Sequence, residues 1–320
     1  MNNDRRERVL IFFGDPDGPI RQVIRTTMAS ENYRNIEDFA KVPTLRDSVR
    51  NLNPDLIIVD SLLPEGDPIQ LVADVRSGEL GRNPFVPIIT TTWEPDRHTV
   101  RRIIDSGTDY LLVKPLSPAQ LMSRIDLIVG ERKPFVVTSN YIGPDRRKDK
   151  KRRSDVPLFD VPNTLKLKLT KEKEMSQAEI DKMIEEASGD INAQRLRRHS
   201  YQIEFLVRLI VPAVKSGKVT IDTRAQIERL CHISDDMDRR LEDPQFENVV
   251  ELSNSFKDVA CAVQEKLPKP DPTDVEVLSQ VSQAMLLAFN PDLTSDKALA
   301  EINEMVRKFA DRATAEELRR

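Results

Sequence analysis

Carboxylate, hydroxyl and amine side chains follow short apolar runs at four places in the first half of the chain. One run ends on Asp60, an earlier one leads to Asp15 and Asp17, and two later ones lead to Thr92 and Lys114. These residue types suit phosphoryl transfer to a carboxylate, because acids hold a divalent metal while a hydroxyl and an ammonium hold phosphoryl oxygens. Asp60 would be the acceptor, since aspartyl phosphate is an established covalent intermediate. The alternative is that Asp60 only caps the turn that follows it.

The elements that must position these residues alternate between short apolar runs and helical patterns. Strands are predicted at 9–13, 35–39, 55–60, 86–91 and 110–113, and helices at 18–30, 43–51, 68–77, 95–106 and from 117 onward. Five strands alternating with five helices predict a doubly wound parallel sheet of the flavodoxin-like order. In such an open α/β sheet, chemistry collects at the carboxyl ends of the strands. The sequence therefore predicts that the candidate residues share one edge of the sheet.

This part of the chain, about residues 8–130, resembles the receiver domain of two-component response regulators. The residues that carry the resemblance are Asp60 with Pro64 four positions on, the stretch 87–92, and Gly107 followed seven positions later by Lys114 and Pro115. The resemblance implies that Asp60 accepts a phosphoryl group from a histidine kinase or phosphotransfer protein. It also implies that Thr92 is the switch hydroxyl, that Lys114 is the lysine of the family pattern, and that the protein is not an enzyme in its own right.

The acid pocket departs from the family pattern in two ways. Receivers usually end their first strand with two adjacent acids that bind magnesium, whereas here Gly14 precedes Asp15. We therefore take Asp15, Asp17 and Asp60 as the candidate Mg²⁺ ligands, with Asp17 as a substitute for the missing acid. Trp93 stands where a small residue normally follows the switch hydroxyl. These departures keep a second hypothesis open, a pseudo-receiver scaffold that works without phosphorylation.

Residues 131–170 are predicted to be a proline-containing basic linker between the receiver-like domain at 1–130 and a helical domain at 171–320. The run from Asp145 to Arg153 carries most of the positive charge, and such composition cannot bury enough apolar surface to fold alone. The alternative is that this basic run binds an acidic partner or nucleic acid. The segments 135–137 and 165–169 could also form short strands or pack on a domain.

The second half predicts helices throughout. A capping box at 176–179 starts the first, Gly189 is expected to separate it from a second at 191–215, and further helices are predicted at 222–241, 244–266, 274–289 and 295–318. We expect an all-α helical bundle that serves as an interaction or oligomerisation module, with a downstream protein partner or a second copy of the chain. A phosphotransfer role for His199 or His232 is conceivable, although a surface or packed histidine is the simpler interpretation.

Composition narrows the class of protein further. The 320 residues carry a formal net charge of −4, which argues against nucleic-acid binding over the whole surface, although DNA binding through the basic linker stays an alternative. Two cysteines without ligand spacing favour a reducing cytoplasm. No apolar stretch approaches the ~18 residues of a membrane span, so membrane insertion is not expected.

Overall fold

The computed structural model describes residues 3–147, 156–170, 175–241, 246–291, 302–304 and 306–307. The chain divides into two compact units, Met1–Ile191 and Asn192–Arg320, each of which is described by itself.

The first unit is built on a five-stranded parallel sheet. Its strands are β1 (Ile11–Gly14), β2 (Ile36–Phe39), β3 (Leu56–Asp60), β4 (Ile88–Thr92) and β5 (Tyr110–Val113), in the order β2-β1-β3-β4-β5. The connecting helices are α2 (Gly18–Ser30), α3 (Val42–Asn51), α4 (Pro68–Ser77), α5 (Arg97–Asp105) and α6 (Pro118–Glu131), preceded by a short α1 (Asn3–Arg6). The predicted flavodoxin-like fold is confirmed.

Alternation along the central strands gives the sheet an apolar layer on each face. In β3, Ile58 packs in one core with Ile24 and Ile125, while Ile57 packs in the other with Leu45. All five residues of β3 are buried, as expected for a parallel strand covered by helices on both sides. Asp60, the last residue of this strand, is therefore held in a fully packed part of the sheet.

Residues 131–170, predicted to be a linker, contain regular structure and belong to the first unit. They include β6 (Phe135–Val137), β7 (Ile142–Pro144), β8 (Leu158–Phe159) and α7 (Thr164–Thr170), with the strands in an antiparallel sheet of order β7-β6-β8. The folded unit thus runs to Ile191 rather than ending at residue 130. Only residues 145–147 of the basic run are described. We refer to residues 131–170 as the extension.

The extension is held by a buried carboxylate between two guanidinium groups. Arg76 donates to Asp109 Oδ2 at 2.9 Å, and Arg132, just after α6, donates to Asp109 Oδ1 at 2.7 Å. Arg76 also donates to the carbonyls of Gly107, Pro84 and Val86, and Arg132 donates to that of Phe85. Both guanidinium groups lie over the ring of Phe135 in β6. Contacts between residues distant in sequence therefore stabilise a segment whose local composition predicts a linker.

Two glycines allow the extension to approach the sheet closely. Gly107 has a φ of +93°, and a Cβ there would lie 2.5 Å from the carbonyl oxygen of Ile142 in β7. A Cβ on Gly143 would lie 2.8 Å from the Cα of Gly107. Backbone therefore meets backbone at this point, and only glycine permits that contact.

Helix α7 packs against the core on one face of the parallel sheet. Leu165 and Leu169 are buried in the core that contains Ile58. Lys168 contacts the buried Asp55 at 2.7 Å, and Asp55 accepts a second hydrogen bond from the backbone N–H of Leu10. The apolar alternation at 165–169 is compatible with a strand. In the structure this segment is a helix, and Leu165 and Leu169 face the core.

Helix α8 (Gln177–Lys215) is continuous where two helices were predicted. It passes through Gly189, whose cost of about 1 kcal/mol relative to alanine is modest beside the burial of Ile184 and Ile191 on either side. From Asn192 onward it belongs to the second unit with α9 (Ile221–Arg240), α10 (Glu247–Glu265) and α11 (Pro272–Phe289).

The second unit is a separate helical region with its own apolar core. Ile203, Ile227, Leu230 and Phe256 are fully buried within it. The helix predicted at 295–318 lies outside the described residues except for 302–304 and 306–307, which are helical. None of the helices in the described part of the chain is long and apolar enough to cross a membrane.

We expect Asp109→Asn to lower the free energy of unfolding of the first unit by about 3–5 kcal/mol at neutral pH, because it leaves two buried guanidinium groups without their anion. The fluorescence of Trp93, the only tryptophan, reports on this unit within the full chain. Asp105→Asn, at an exposed carboxylate paired only on the surface with Arg101, is the matched control and should leave unfolding nearly unchanged.

The stabilisation by Asp109 should also depend on pH. Burial by itself raises the pKa of Asp109, but the charges of Arg132 and Arg76 outweigh burial and the pKa is lowered. A carboxyl whose pKa falls on folding stabilises the protein above its unfolded pKa, and that contribution is lost as the pH falls through the folded pKa. The difference between wild type and Asp109→Asn should therefore shrink below about pH 4. A difference that persists unchanged to lower pH would contradict this assignment.

Candidate functional site

Three of the predicted residues meet at the carboxyl edge of the parallel sheet. Asp60 is the last residue of β3, Asp15 directly follows β1, and Lys114 directly follows β5. The side chains of Asp15 and Asp60 are fully buried and that of Lys114 is 2% exposed. Strands β1 and β3 are neighbours in the sheet, which brings the two carboxylates together.

The Lys114 ammonium lies between the two carboxylates. Its Nζ is 2.5 Å from Asp15 Oδ2 and 2.5 Å from Asp60 Oδ2. Buried charges are tolerated only when they are paired, so this contact explains how two acids can share one dry pocket. Burial raises the pKa of Asp15, and the hydrogen bond from Lys114 opposes that effect. The pocket therefore contains two carboxylates and one cation, an arrangement that attracts further positive charge.

The hydroxyl that contacts Asp60 is that of Thr91, not that of Thr92. Thr91 Oγ1 donates to Asp60 Oδ2 at 3.0 Å, and the backbone N–H of Leu62 donates to Asp60 Oδ1 at 2.8 Å. The Thr92 hydroxyl is instead hydrogen-bonded to Ser61 Oγ at 2.9 Å. Sequence reasoning missed Thr91 because the choice between adjacent threonines depends on the register of β4 against β3, in which Asp60 pairs with Thr91.

The predicted metal ligands do not converge as a set. Asp17 is the N-cap of α2, where its carboxylate accepts from the backbone N–H of Ile20. Gly14 cannot be replaced by an acid without movement, because a Cβ there would lie 3.0 Å from a methyl of Leu63 and 3.2 Å from one of Leu45. Within the described residues there is no group of three or more His, Cys, Asp or Glu side chains placed to hold a metal.

Asp15 and Asp60 nevertheless fit a magnesium ion as a pair. Both already direct an oxygen at one cation, the Lys114 ammonium. Mg²⁺ is usually bound through one or two carboxylates together with water and substrate phosphate rather than by a full protein cage. The donor chemistry of this pocket therefore suits Mg²⁺ through Asp15 and Asp60, without Asp17.

Trp93 lies at the mouth of the pocket. Its indole ring is 49% exposed, and the Lys114 Nζ is 5.7 Å from the ring centroid. This distance is within the range of a cation–π contact. The indole is therefore placed to sense a change in the position or charge of Lys114.

The histidines of the second unit do not form a comparable site. His199 is 2% exposed, and its Nε2 lies 2.6 Å from Asp236 Oδ2. Burial lowers the pKa of His199, while the hydrogen bond to Asp236 opposes that effect. The imidazole is packed within the second unit and held against Asp236, as expected for a structural histidine. His232 is exposed on α9.

Comparison with known proteins places the parallel sheet in a family. Residues 11–126 match the response regulator receiver domain. The phosphate regulon transcriptional regulatory protein PhoB of Escherichia coli is 26% identical over 133 residues, which are 41% of this chain and 55% of PhoB. The DNA-binding response regulator MtrA of Mycobacterium tuberculosis is 28% identical over 122 residues, which are 38% of this chain and 49% of MtrA. The chain thus spans about half the length of the relatives that it matches.

Among solved structures, the chain is similar to the chemotaxis response regulator CheY4 of Vibrio cholerae, with 24% identity, a TM-score of 0.34, and coverage of 37% of this chain and 96% of CheY4. The region that matches the family includes all five strands of the parallel sheet and the residues Asp15, Asp60 and Lys114. Residues 11–126 of this chain therefore match the response regulator receiver domain across the whole parallel sheet.

Proposed function

We propose that this protein is a two-component response regulator in which Asp60 accepts a phosphoryl group. The observation that carries the proposal is the contact of the Lys114 ammonium with both Asp60 and Asp15 at the carboxyl edge of the sheet. A buried nucleophilic carboxylate, a second acid and a fixed ammonium are the groups that phosphoryl transfer requires. The phosphoryl donor is a histidine kinase or a phosphotransfer protein.

In the reaction, an oxygen of Asp60 forms a bond to phosphorus. The bond between phosphorus and the donor breaks, and the donor atom keeps the electron pair. Lys114 holds a phosphoryl oxygen through its ammonium, which is already at the carboxylate. Asp15 and Asp60 would hold a magnesium ion, which when bound neutralises charge on the phosphoryl oxygens.

The direct test is the intact mass of the full chain after incubation with Mg²⁺ and acetyl phosphate. We expect one phosphoryl adduct in the wild type and none in Asp60→Asn, because the amide is a poor nucleophile. Asp67→Asn is the matched control, since Asp67 caps α4 and asparagine caps helices equally well. An adduct that persists in Asp60→Asn would place the acceptor elsewhere, and no adduct in any variant would contradict the proposal.

The metal assignment is tested by titrating Mg²⁺ while recording Trp93 fluorescence. Because the indole lies beside Lys114, a metal that competes for Asp15 and Asp60 should change its emission. We expect Asp15→Asn to abolish the change and Asp17→Asn to preserve it, since asparagine can still cap α2. Equal loss in both variants would show that Asp17 is also needed.

The magnesium response should weaken on acidification, because a carboxylate must be deprotonated to bind the ion. Burial raises the pKa of Asp15, so the loss should begin at a higher pH than for an exposed aspartate. The measurement is the Mg²⁺ concentration at half response, recorded across the acid range. A half-response concentration that does not change until the pH reaches the usual range of aspartate would contradict the role of Asp15.

A second candidate function is a scaffold that binds partners without phosphorylation. It is favoured by Gly14, which stands in place of the usual second acid and where a Cβ would press on Leu63 and Leu45. This candidate predicts that Asp60→Asn retains every signalling property of the wild type in the cell. Loss of signalling in that variant, with its fold intact, would exclude the scaffold.

We also propose that the helical second unit is the interaction module through which the signal leaves the protein, toward a protein partner or a second copy of the chain. The contact of the His199 imidazole with Asp236 supports a structural role for this histidine rather than a phosphoryl relay through it. A DNA-binding role through the basic run is the remaining alternative; MtrA is named a DNA-binding response regulator and PhoB a transcriptional regulatory protein. Of the run's described residues, Arg146 donates to the carbonyls of Thr108 and Asp109 and Arg147 contacts Asp145. Absence of DNA binding at low ionic strength would exclude that alternative.

A further inference from the structure

The three threonines that end β4 have separate hydrogen-bond partners. Thr90 Oγ1 is 3.0 Å from Thr108 Oγ1, Thr91 Oγ1 is 3.0 Å from Asp60 Oδ2, and Thr92 Oγ1 is 2.9 Å from Ser61 Oγ. All three are buried. Three side chains of one type, on one strand, therefore hold three different groups.

The sheet fixes which threonine faces Asp60. Residues paired in adjacent parallel strands point to the same face, and Asp60 pairs with Thr91. The backbone N–H of Ser61 donates to the carbonyl of Thr91 at 2.8 Å and continues this register. Thr91 and Thr92 could exchange partners only if the register slipped by one residue, which would move every side chain of β4 to the opposite face of the sheet.

The Asp60 carboxylate is restrained by three donors. Leu62 N–H binds Oδ1, while Lys114 Nζ and Thr91 Oγ1 both bind Oδ2. A carboxylate offers about four lone-pair positions, so about one is left for a further partner. Thr91 is the one restraint that can be removed without changing a charge or the backbone.

We propose that Thr91 is a positioning residue that holds the Asp60 carboxylate in its resting orientation and slows its attack on phosphorus. A hydrogen bond to a charged group stabilises that group where it stands, and part of this stabilisation is lost when the oxygen bonds to phosphorus. The inference rests on the proposed function, because it concerns the reactivity of the same carboxylate. It differs from the expected role of Thr92, whose hydroxyl is held by Ser61.

The kinetic test compares Thr91→Val, Thr91→Ser and Thr90→Val in the full chain. Valine keeps the shape of threonine without the hydroxyl, so we expect the maximal rate of adduct formation from acetyl phosphate to rise about tenfold in Thr91→Val. The donor concentration at half-saturation should stay unchanged, since the hydroxyl acts on the nucleophile. Thr91→Ser should restore the wild-type rate. Thr90→Val, which loses a buried hydroxyl on the same strand, should also keep the wild-type rate.

A second measurement keeps this inference separate from the proposed function. In a double-mutant cycle of Thr91→Val and Asp60→Ala, followed by urea unfolding with Trp93 fluorescence, we expect coupling of about tenfold in the unfolding equilibrium constant, because alanine removes the acceptor that asparagine would keep. Additive effects would overturn the role of Thr91. An unchanged rate in Thr91→Val, in a protein that forms the adduct, would overturn it as well. If the wild type forms no adduct, the proposed function fails, and the cycle alone decides whether Thr91 positions Asp60.

Discussion

The first unit depends on how a few buried charges are balanced, and the Lys114 ammonium between two carboxylates is the central case. Without it, Asp15 and Asp60 would place two buried negative charges side by side with no cation to pair them, which is costly to folding. The opposite edge of the sheet has the inverse arrangement, one carboxylate, Asp109, between two guanidinium groups. Strand β5 connects the two, because Asp109 directly precedes it and Lys114 directly follows it. The four residues of β5 therefore lie between the acid pocket and the carboxylate that anchors the extension.

The acid pocket and the attachment site of the extension therefore lie at opposite edges of the parallel sheet. The carboxyl edge keeps an acid pocket that suits a cation and a phosphoryl group, while the amino edge is occupied by the extension through Arg132 and Lys168. The amino edge is already covered by the chain's own residues, and the folded unit extends well past the region that matches the family.

The sequence was sufficient where local pattern and function coincide. Apolar runs located the strands, and the polar residue after each run located Asp15, Asp60 and Lys114, because the end of a parallel strand is also the edge where the site forms. It was insufficient where the answer depends on contacts distant in sequence. The choice of Thr91 over Thr92 depends on the pairing of β4 with β3. The folding of the extension depends on Asp109, which lies 23 residues before its partner Arg132. Asp17 shows a third limit, since a carboxylate three residues after a strand can cap the next helix as readily as bind metal.

The contact between Gly107 and Gly143 has a consequence for the sequence of such a protein. Glycine at position 107 is already part of the receiver pattern, and its φ of +93° lies in the region that favours glycine. Once backbone packs against backbone there, a side chain at either position is excluded. The extension therefore docks on a turn that already requires glycine at 107, and the contact adds a second requirement, for glycine at 143. Gly143 is thus the position at which the presence of the docked extension restricts the sequence.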